Sequence, residues 1–296
     1  MRVFLFVISI PIYFVSSDVW PFNDIHSRLF VAQSASDEVY ENNGGTVLAL
    51  AGKEYAVIAT DTRLSKGMTI LSRGCERLWE LSPGIWLGMG GCLADMRALA
   101  QSIQSTCEEF YFEQGHHPGI DSVAQLLSTV LYSRRQMPYY AFCVLAGLDQ
   151  SSRTGTIFTF DAVGNFERVE SACVGGSQSI ALPILDQYVA KGQCKIPGDI
   201  DEDKNNTVRQ PVAQENFQHW STGGESPTAA RPPRVCDLNI SAAIDCLKTV
   251  AKAASMRDIR LGDGLDIVTI SLGSSSDHQG TVCSTRHEPR FNLAID

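Results

Sequence analysis

The sequence predicts an α+β fold of four layers, in which two antiparallel sheets stack face to face and a pair of helices covers each outer face. The order of elements favours this fold, because strands, two helices, strands, two helices and a strand follow one another. The predicted strands are almost continuously apolar, so both faces of each sheet should be buried. Helices do not alternate with single strands, which excludes a doubly wound parallel sheet.

Composition restricts the function classes. The chain has 296 residues, of which 44% are hydrophobic and 19% charged, so it can bury a large core and is neither disordered nor fibrous. The formal net charge is −9 without a dense run of lysine and arginine, which argues against a nucleic-acid binder. The nine cysteines show no C-x-x-C spacing and no repeated Cys/His grouping. We therefore expect reduced, buried thiols, no metal site and no cofactor.

The first predicted elements are strands. Residues 46–51 (TVLALA) and 55–60 (YAVIAT) are candidates for buried strands, and the Gly-Lys-Glu sequence between them predicts a hairpin turn. A shorter strand is expected at 68–71. Residues 85–91 (IWLGMGG) follow a Pro-Gly turn, and their glycines indicate a strand with close backbone packing.

Helical periodicity follows these strands. Apolar residues at three- and four-residue spacing predict a helix over 93–113. In a second helical stripe, Ser122 and Gln125 have the spacing of a capping box, and Pro138 is expected to end the helix. Before a third helix through 180–189, strands should resume at 139–148, 156–161 and 166–174.

Residues 192–235 break the pattern. The segment holds five of the chain's twelve prolines together with clustered acidic residues, so it predicts an exposed or disordered insertion. A fourth helix is expected over 240–254 and a last strand over 266–272, after which 273–296 is predicted to be a polar tail. The folded domain is therefore expected to span 44–272.

Residues 1–43 are expected to be an extension or a propeptide-like segment. A short basic start precedes an apolar run to Val15 and two serines, the pattern of a secretory signal peptide, and the run is too short to span a bilayer as a helix. An apolar pro-segment and a wrong first exon are the alternatives. A secreted chain should carry glycan at Asn205 or Asn239, although such sequons often arise by chance.

Several separated motifs resemble proteasome beta subunits and stand in the order and spacing of that family. The resemblance extends over roughly residues 42–272, apart from the insertion, and implies the αββα sandwich of the N-terminal-nucleophile hydrolases. This fold agrees with the layers predicted above from periodicity. The motifs are 44–49 (GGTVLA), 57–63 (VIATDTR), 88–91 (GMGG), 127–135 (LSTVLYSRR), 138–140 (PYY), 146–149 (AGLD), 160–164 (FDAVG) and 257–258 (RD).

The resemblance implies a catalytic chemistry that this chain does not carry. Active members use an N-terminal threonine, exposed by cleavage after a glycine, whose hydroxyl proton passes to the free α-amine. They place an aspartate sixteen residues after the threonine and a lysine thirty-two residues after it. Counting from Asp61 places Gly45 at the threonine position and Arg77 at the lysine position. Glycine has no hydroxyl, and arginine stays protonated and has a planar fork in place of a compact ammonium.

Thr46 is the alternative nucleophile, provided that the chain is cleaved after Gly45. The spacing to Asp61 and Arg77 is then off by one residue. Because side chains alternate along a strand, Thr46 is expected to point to the face opposite that of Gly45.

The supporting positions also depart from the family pattern. Active members carry a Gly-Ser-Gly turn near the nucleophile and an Asp-x-x-Ser sequence before the last strand. Here Gly176 stands at the serine position of the turn, with Ser177 displaced by one residue, and Leu261 replaces the serine that follows Asp258. The surviving aspartates are explained equally well if they satisfy buried backbone donors or pair with an arginine.

The resemblance therefore implies a non-catalytic structural subunit of the 20S core particle. Such a chain would complete the beta ring and the proteolytic chamber of a 28-subunit particle of alpha and beta subunits, in cytoplasm and nucleus, and would bind neither nucleic acid nor membrane. A free hydrolase that uses Thr46 and a secreted protein are the alternatives. The vestigial site is expected to consist, without cofactor or metal, of Gly45, Asp61, Arg77, Gly176, Asp258 and Leu261.

Overall fold

The chain divides into two units, Met1–Tyr40 and Glu41–Asp296, and the second unit contains all of the elements described below. The predicted insertion at 192–235, the predicted extension at 1–43 up to residue 39, and the sequon at Asn205 lie outside the described residues. The computed structural model describes four stretches of the chain, at 40–149, 151–191, 236–272 and 283–293.

The strands of the second unit form two five-stranded sheets and one two-stranded sheet. In chain order they are β1 Thr46–Ala51, β2 Tyr55–Asp61, β3 Leu64–Lys66, β4 Thr69–Ser72, β5 Leu78–Ser82, β6 Ile85–Gly91, β7 Ala141–Leu148, β8 Gly155–Phe160, β9 Phe166–Val169, β10 Ser171–Gly175, β11 Gly264–Leu272 and β12 Cys283–Asn292. The first sheet has the order β10-β1-β2-β11-β12, the second β5-β6-β7-β8-β9, and β3 pairs with β4. Neighbouring strands are antiparallel throughout.

The helices cover the outer faces of the two large sheets. The helices α1 and α2 bury their apolar stripes against the second sheet, whereas α3 and α4 pack on the first sheet. A third apolar core fills the space between the sheets. The structure is therefore the predicted four-layer αββα sandwich. In chain order the helices are α1 Leu93–Gln114, α2 Ile120–Ser133, α3 Gln178–Lys191 and α4 Ile240–Ser255.

Side-chain direction along β1 decides the geometry of the site. Val47 and Ala49 point into the core between the sheets, whereas Leu48 and Leu50 point into the core beneath α3 and α4. All six residues of this strand are buried, because both of its faces are covered.

Two predicted elements are wrong in their extent. The single strand predicted at 166–174 is two strands, because the chain leaves β9 in the second sheet and enters β10 in the first. The strand over 266–272 is not the last one, since residues 283–292 of the predicted polar tail form β12 and pair with β11. As an edge strand, β12 is paired on one side only, so it does not need the apolar sequence of a central strand.

The predicted capping box is also wrong. Helix α2 begins at Ile120 after Gly119, so Ser122 and Gln125 lie inside the helix, and the N-cap residue Gly119 has no side chain that could cap it. The same helix ends at Ser133, well before Pro138. The short strands β3 and β5 were not predicted, because they are only three and five residues long.

Candidate functional site

Three of the predicted positions meet where β1 begins. Gly45 directly precedes β1, Asp61 ends β2, and Arg77 directly precedes β5. We call these three residues the Gly45 site. Because β1 and β2 belong to the first sheet and β5 to the second, the Gly45 site bridges the two sheets.

Gly45 presents only a hydrogen toward Arg77. A Cβ atom at this position would lie 2.9 Å from Nε of Arg77 and 3.1 Å from its Cδ and Cζ atoms. The backbone φ angle of Gly45 is +98°, in the region that favours glycine. The guanidinium therefore occupies the space into which a side chain at position 45 would project.

Arg77 is held by a buried set of acceptors. Its side chain is fully buried, and its Nη1 atom lies 3.2 Å from Oδ1 of Asp61. The same nitrogen donates to the backbone oxygen of Asp61 at 3.2 Å, and Nη2 donates to the backbone oxygen of Asn43 at 2.9 Å. A buried charge is tolerated only with such partners, so Arg77 is a fixed part of the fold.

Asp61 is the counter-ion of this arginine. Burial raises the pKa of its carboxyl to about 6, while the Arg77 charge and the backbone N–H groups of Thr46 and Arg63 oppose the rise. The Arg77 charge and these N–H donors favour the ionised form of the carboxyl. Its Oδ2 atom and Nε of Arg77 have no hydrogen-bond partner among the described residues. Asp61 and Arg77 have no hydroxyl to activate at position 45.

The thiol of Cys75 lies near this pair. Burial raises the pKa of the thiol, which disfavours a thiolate nucleophile.

Thr46 belongs to a different cluster on the other face of the first sheet. Its backbone N–H donates to Oδ1 of Asp61 at 2.8 Å, but its Oγ1 atom accepts a hydrogen bond from the backbone N–H of Ser177 at 3.3 Å. Ser177 in turn donates its hydroxyl proton to Oδ2 of Asp258 at 2.7 Å. We call Thr46, Ser177 and Asp258 the Ser177 cluster. Thr46 is only 3% exposed, so its hydroxyl is a buried acceptor.

The remaining predicted positions lie beside these two groups. The backbone N–H of Gly176 donates to the oxygen of Gly45 at 3.1 Å, and a Cβ atom on Gly176 would be 3.5 Å from Oδ2 of Asp258. Leu261 is buried at 2% exposure and packs in the core beneath α3 and α4. It carries no polar side-chain atom to contribute to either group.

Sequence reasoning missed Asn43. This residue is buried at 8% exposure and accepts from Arg77, and its side chain contacts β3 and the start of α1. The only signal for it was a polar residue before Gly-Gly, a sequence that is equally typical of a turn.

The part of the chain that the structure describes also bears on metal binding and on membrane spanning. No three His, Cys, Asp or Glu side chains there are grouped so that they could hold a metal ion. None of the helices among those residues is long and apolar enough to cross a membrane. Among the described residues, seven cysteines form no disulfide bond, and five of these lie deep in the cores, namely Cys107, Cys143, Cys173, Cys236 and Cys246.

Comparison with known proteins identifies the family. A sequence profile described as proteasome subunit matches residues 41–195. A relative from Arabidopsis thaliana, named proteasome subunit beta type-1, is 34% identical over 238 residues, which cover 80% of this chain and 92% of the relative. Relatives of the same name are 36% identical over 239 residues in Oryza sativa subsp. japonica (79% and 91% covered) and 33% identical over 260 residues in Dictyostelium discoideum (88% and 90% covered). The chain belongs to the proteasome subunit family.

Proposed function

We propose that this chain is a non-catalytic structural beta subunit of the 20S proteasome core particle, at the sixth position of the beta ring. The observation that carries the proposal is the Gly45 site, where a glycine hydrogen stands in place of a nucleophilic side chain and Arg77 fills the adjoining space. Without the nucleophile the covalent route is lost, whatever the other groups contribute.

The proposal includes the chain's partners and its location. The chain would assemble with other beta subunits and with alpha subunits in a 28-subunit particle, in the cytoplasm and nucleus, and would help to enclose the proteolytic chamber. Large apolar side chains that lie open in the single chain support such contacts, since they would be covered by neighbours. They include Met68 at 88% exposure, Phe112 at 82% and Ile259 at 64%.

The free hydrolase that uses Thr46 is not favoured. The Thr46 hydroxyl accepts from the backbone N–H of Ser177 on the helix side of the first sheet, whereas Asp61 and Arg77 lie on the opposite face of the strand, between the sheets.

The secreted alternative rests on residues 1–17 and on two sequons. Asn239 is the N-cap of α4, where its Oδ1 atom accepts from the N–H of Ala242 at 2.7 Å.

The substitution Thr46→Val tests this proposal. Valine keeps the branched shape and removes the hydroxyl, so we expect particles that contain the variant to assemble and to hydrolyse peptides like the wild type. The measurement is native mass spectrometry of the affinity-purified chain, followed by peptide hydrolysis. Thr60→Val is the matched control, because Thr60 is another buried threonine of the first sheet and its hydroxyl has no partner among the described residues. Loss of a peptide-hydrolysing activity in Thr46→Val but not in Thr60→Val would contradict the proposal. A monomer of this chain that hydrolyses peptides would also contradict it.

A further inference from the structure

Asn43 joins the two large sheets from a position upstream of β1. Its backbone N–H donates to the oxygen of Gly91 at 2.9 Å, and the N–H of Gly91 donates to the oxygen of Gly44 at 2.9 Å. Gly91 ends β6 in the second sheet, whereas the chain continues from Gly45 into β1 of the first. The residues before Gly45 therefore pair with the second sheet before the chain enters the first.

The Asn43 side chain makes two further contacts with separate elements. Its Nδ2 group donates to the backbone oxygen of Ser65 in β3 at 3.3 Å, while its Oδ1 atom accepts from the N–H of Leu93 at 3.0 Å. The backbone N–H of Ser65 also donates to the oxygen of Asn43 at 3.3 Å. Donor and acceptor of the amide are thus both engaged, as expected for a buried asparagine.

The contact with Leu93 supplies a missing helix cap. Helix α1 begins after Cys92, which makes no side-chain hydrogen bond to the first turn. The first backbone N–H groups of a helix lack partners within it and are usually satisfied by the side chain of the N-cap residue. Here an asparagine fifty positions upstream satisfies one of them.

The contact with Ser65 helps to attach the β3–β4 hairpin, whose two ends are also held by Asp263 and whose Lys66 pairs with Glu41. Strands β3 and β4 pair only with each other in the part of the chain that the structure describes. The Asn43–Ser65 bonds connect this hairpin to the segment before β1. The hairpin carries Met68, Ile70 and Leu71, which are exposed, so few apolar contacts fix its position.

We propose that Asn43 is a positioning residue, which sets the start of α1 through its amide oxygen and the β3–β4 hairpin through its amide nitrogen. It follows that the residues directly upstream of Gly45 contribute to the fold, and that their loss would remove the Asn43 contacts with both elements. The inference rests on the contacts of Asn43 alone and does not depend on the proposed lack of activity.

The two halves of the amide allow a sharp test. Asn43→Asp keeps an acceptor for Leu93 but replaces the donor to Ser65 with a second oxygen, whereas Asn43→Ala removes both. Asn42→Ala is the matched control, because Asn42 is an exposed neighbour whose side chain accepts from the N–H of Gly44 at 2.9 Å, within the same segment. Hydrogen exchange is measured by residue-resolved mass spectrometry on the full chain, in the assembly in which it is purified.

We expect Asn43→Ala to speed exchange at Leu93 and Ser65 about fivefold, the factor for a typical lost cap, with β7 unchanged. The Leu93 N–H loses its acceptor directly, whereas the Ser65 N–H keeps its bond to the Asn43 backbone and exchanges faster because the hairpin opens more often without the Nδ2 bond to the Ser65 oxygen. Asn43→Asp should speed exchange at Ser65 while Leu93 stays within about twofold of the wild type. If the alanine variant does not fold, the split between Ser65 and Leu93 in the aspartate variant decides alone. Wild-type exchange at both amides, equal loss at both amides in the aspartate variant, or loss that extends equally to β7 would overturn the inference.

Discussion

Gly45 is held in a backbone conformation that a side chain resists, at +98° in φ, and it faces a guanidinium that cannot easily move. Arg77 is 1% exposed and bonded to Asp61 and Asn43, so its displacement would leave a buried charge without partners. A threonine at position 45 alone would therefore not restore the catalytic site that the family resemblance implies, because Arg77 also stands where active members carry a lysine.

Arg77 fills the space beside Gly45. Gly45→Ala should lower the free energy of unfolding by about 2 kcal/mol, since it combines a positive φ with a Cβ that meets Arg77. The matched control is Gly176→Ala in the adjoining turn, where a Cβ meets Asp258 at an ordinary 3.5 Å and should cost less than about 1 kcal/mol. Calorimetric melting of the two variants compares them. Equal melting temperatures would contradict the role given to Arg77.

At the scale of elements, Asp263 connects three segments that surround the start of β11. Its carboxylate accepts from Nε of Arg63 at 2.7 Å and Nη2 of Arg63 at 3.1 Å, and it also accepts from Arg73. Arg63 follows β2 and Arg73 follows β4. Asp263 adopts a left-handed φ of +66°, which asparagine also tolerates.

The substitution Asp263→Asn isolates the charge of this connection. The hydrogen bonds from Arg63, followed by those from Arg73, hold the pKa of the Asp263 carboxyl below its usual 3.8. Its stabilisation is therefore complete above pH 3.8 and is lost as the pH falls through the lower, folded value. We expect the variant to be less stable by about 1 to 2 kcal/mol at pH 7 and to match the wild type increasingly closely below pH 3.8.

Denaturant unfolding at a series of pH values measures this difference. Asp245→Asn is the control, because Asp245 is exposed and pairs only with Lys248 in the next turn of α4, at 3.7 Å. Its effect should stay within about 0.5 kcal/mol. If Asp263→Asn has the same loss of unfolding free energy at low pH as at pH 7, the charge of Asp263 is not what connects the segments.

Periodicity predicted the elements whose apolar pattern repeats, and it failed where polar residues or distant partners decide the structure. The strands β1, β2 and β6 and all four helices were visible as apolar runs or stripes. Strand β12 was not, because a proline and several charged residues are tolerated at the edge of a sheet. Asn43 contacts Leu93 across fifty positions of sequence, a relation that leaves no periodic trace.

At the scale of the whole molecule, the two sheets place the Gly45 site and the Ser177 cluster on opposite faces of β1. The first lies between the sheets and the second beneath the helices. Spacing within the family pattern located Gly45, Asp61 and Arg77 together, but it could not show that Arg77 fills the position of the missing side chain. The fold of the family is therefore kept, and the proposed loss of the nucleophile suits a subunit whose role is to complete a ring.

The most direct test of this account is a search for a covalent adduct on the chain. Purified particles that contain it are treated with a peptide electrophile directed at N-terminal threonine, and every subunit is analysed by intact-mass and peptide mass spectrometry together with amino-terminal sequencing. The account predicts that peptide hydrolysis is blocked and other subunits are labelled, while this chain keeps residues upstream of Gly45 and gains no mass. A chain that begins at Thr46 and carries the electrophile there would contradict it.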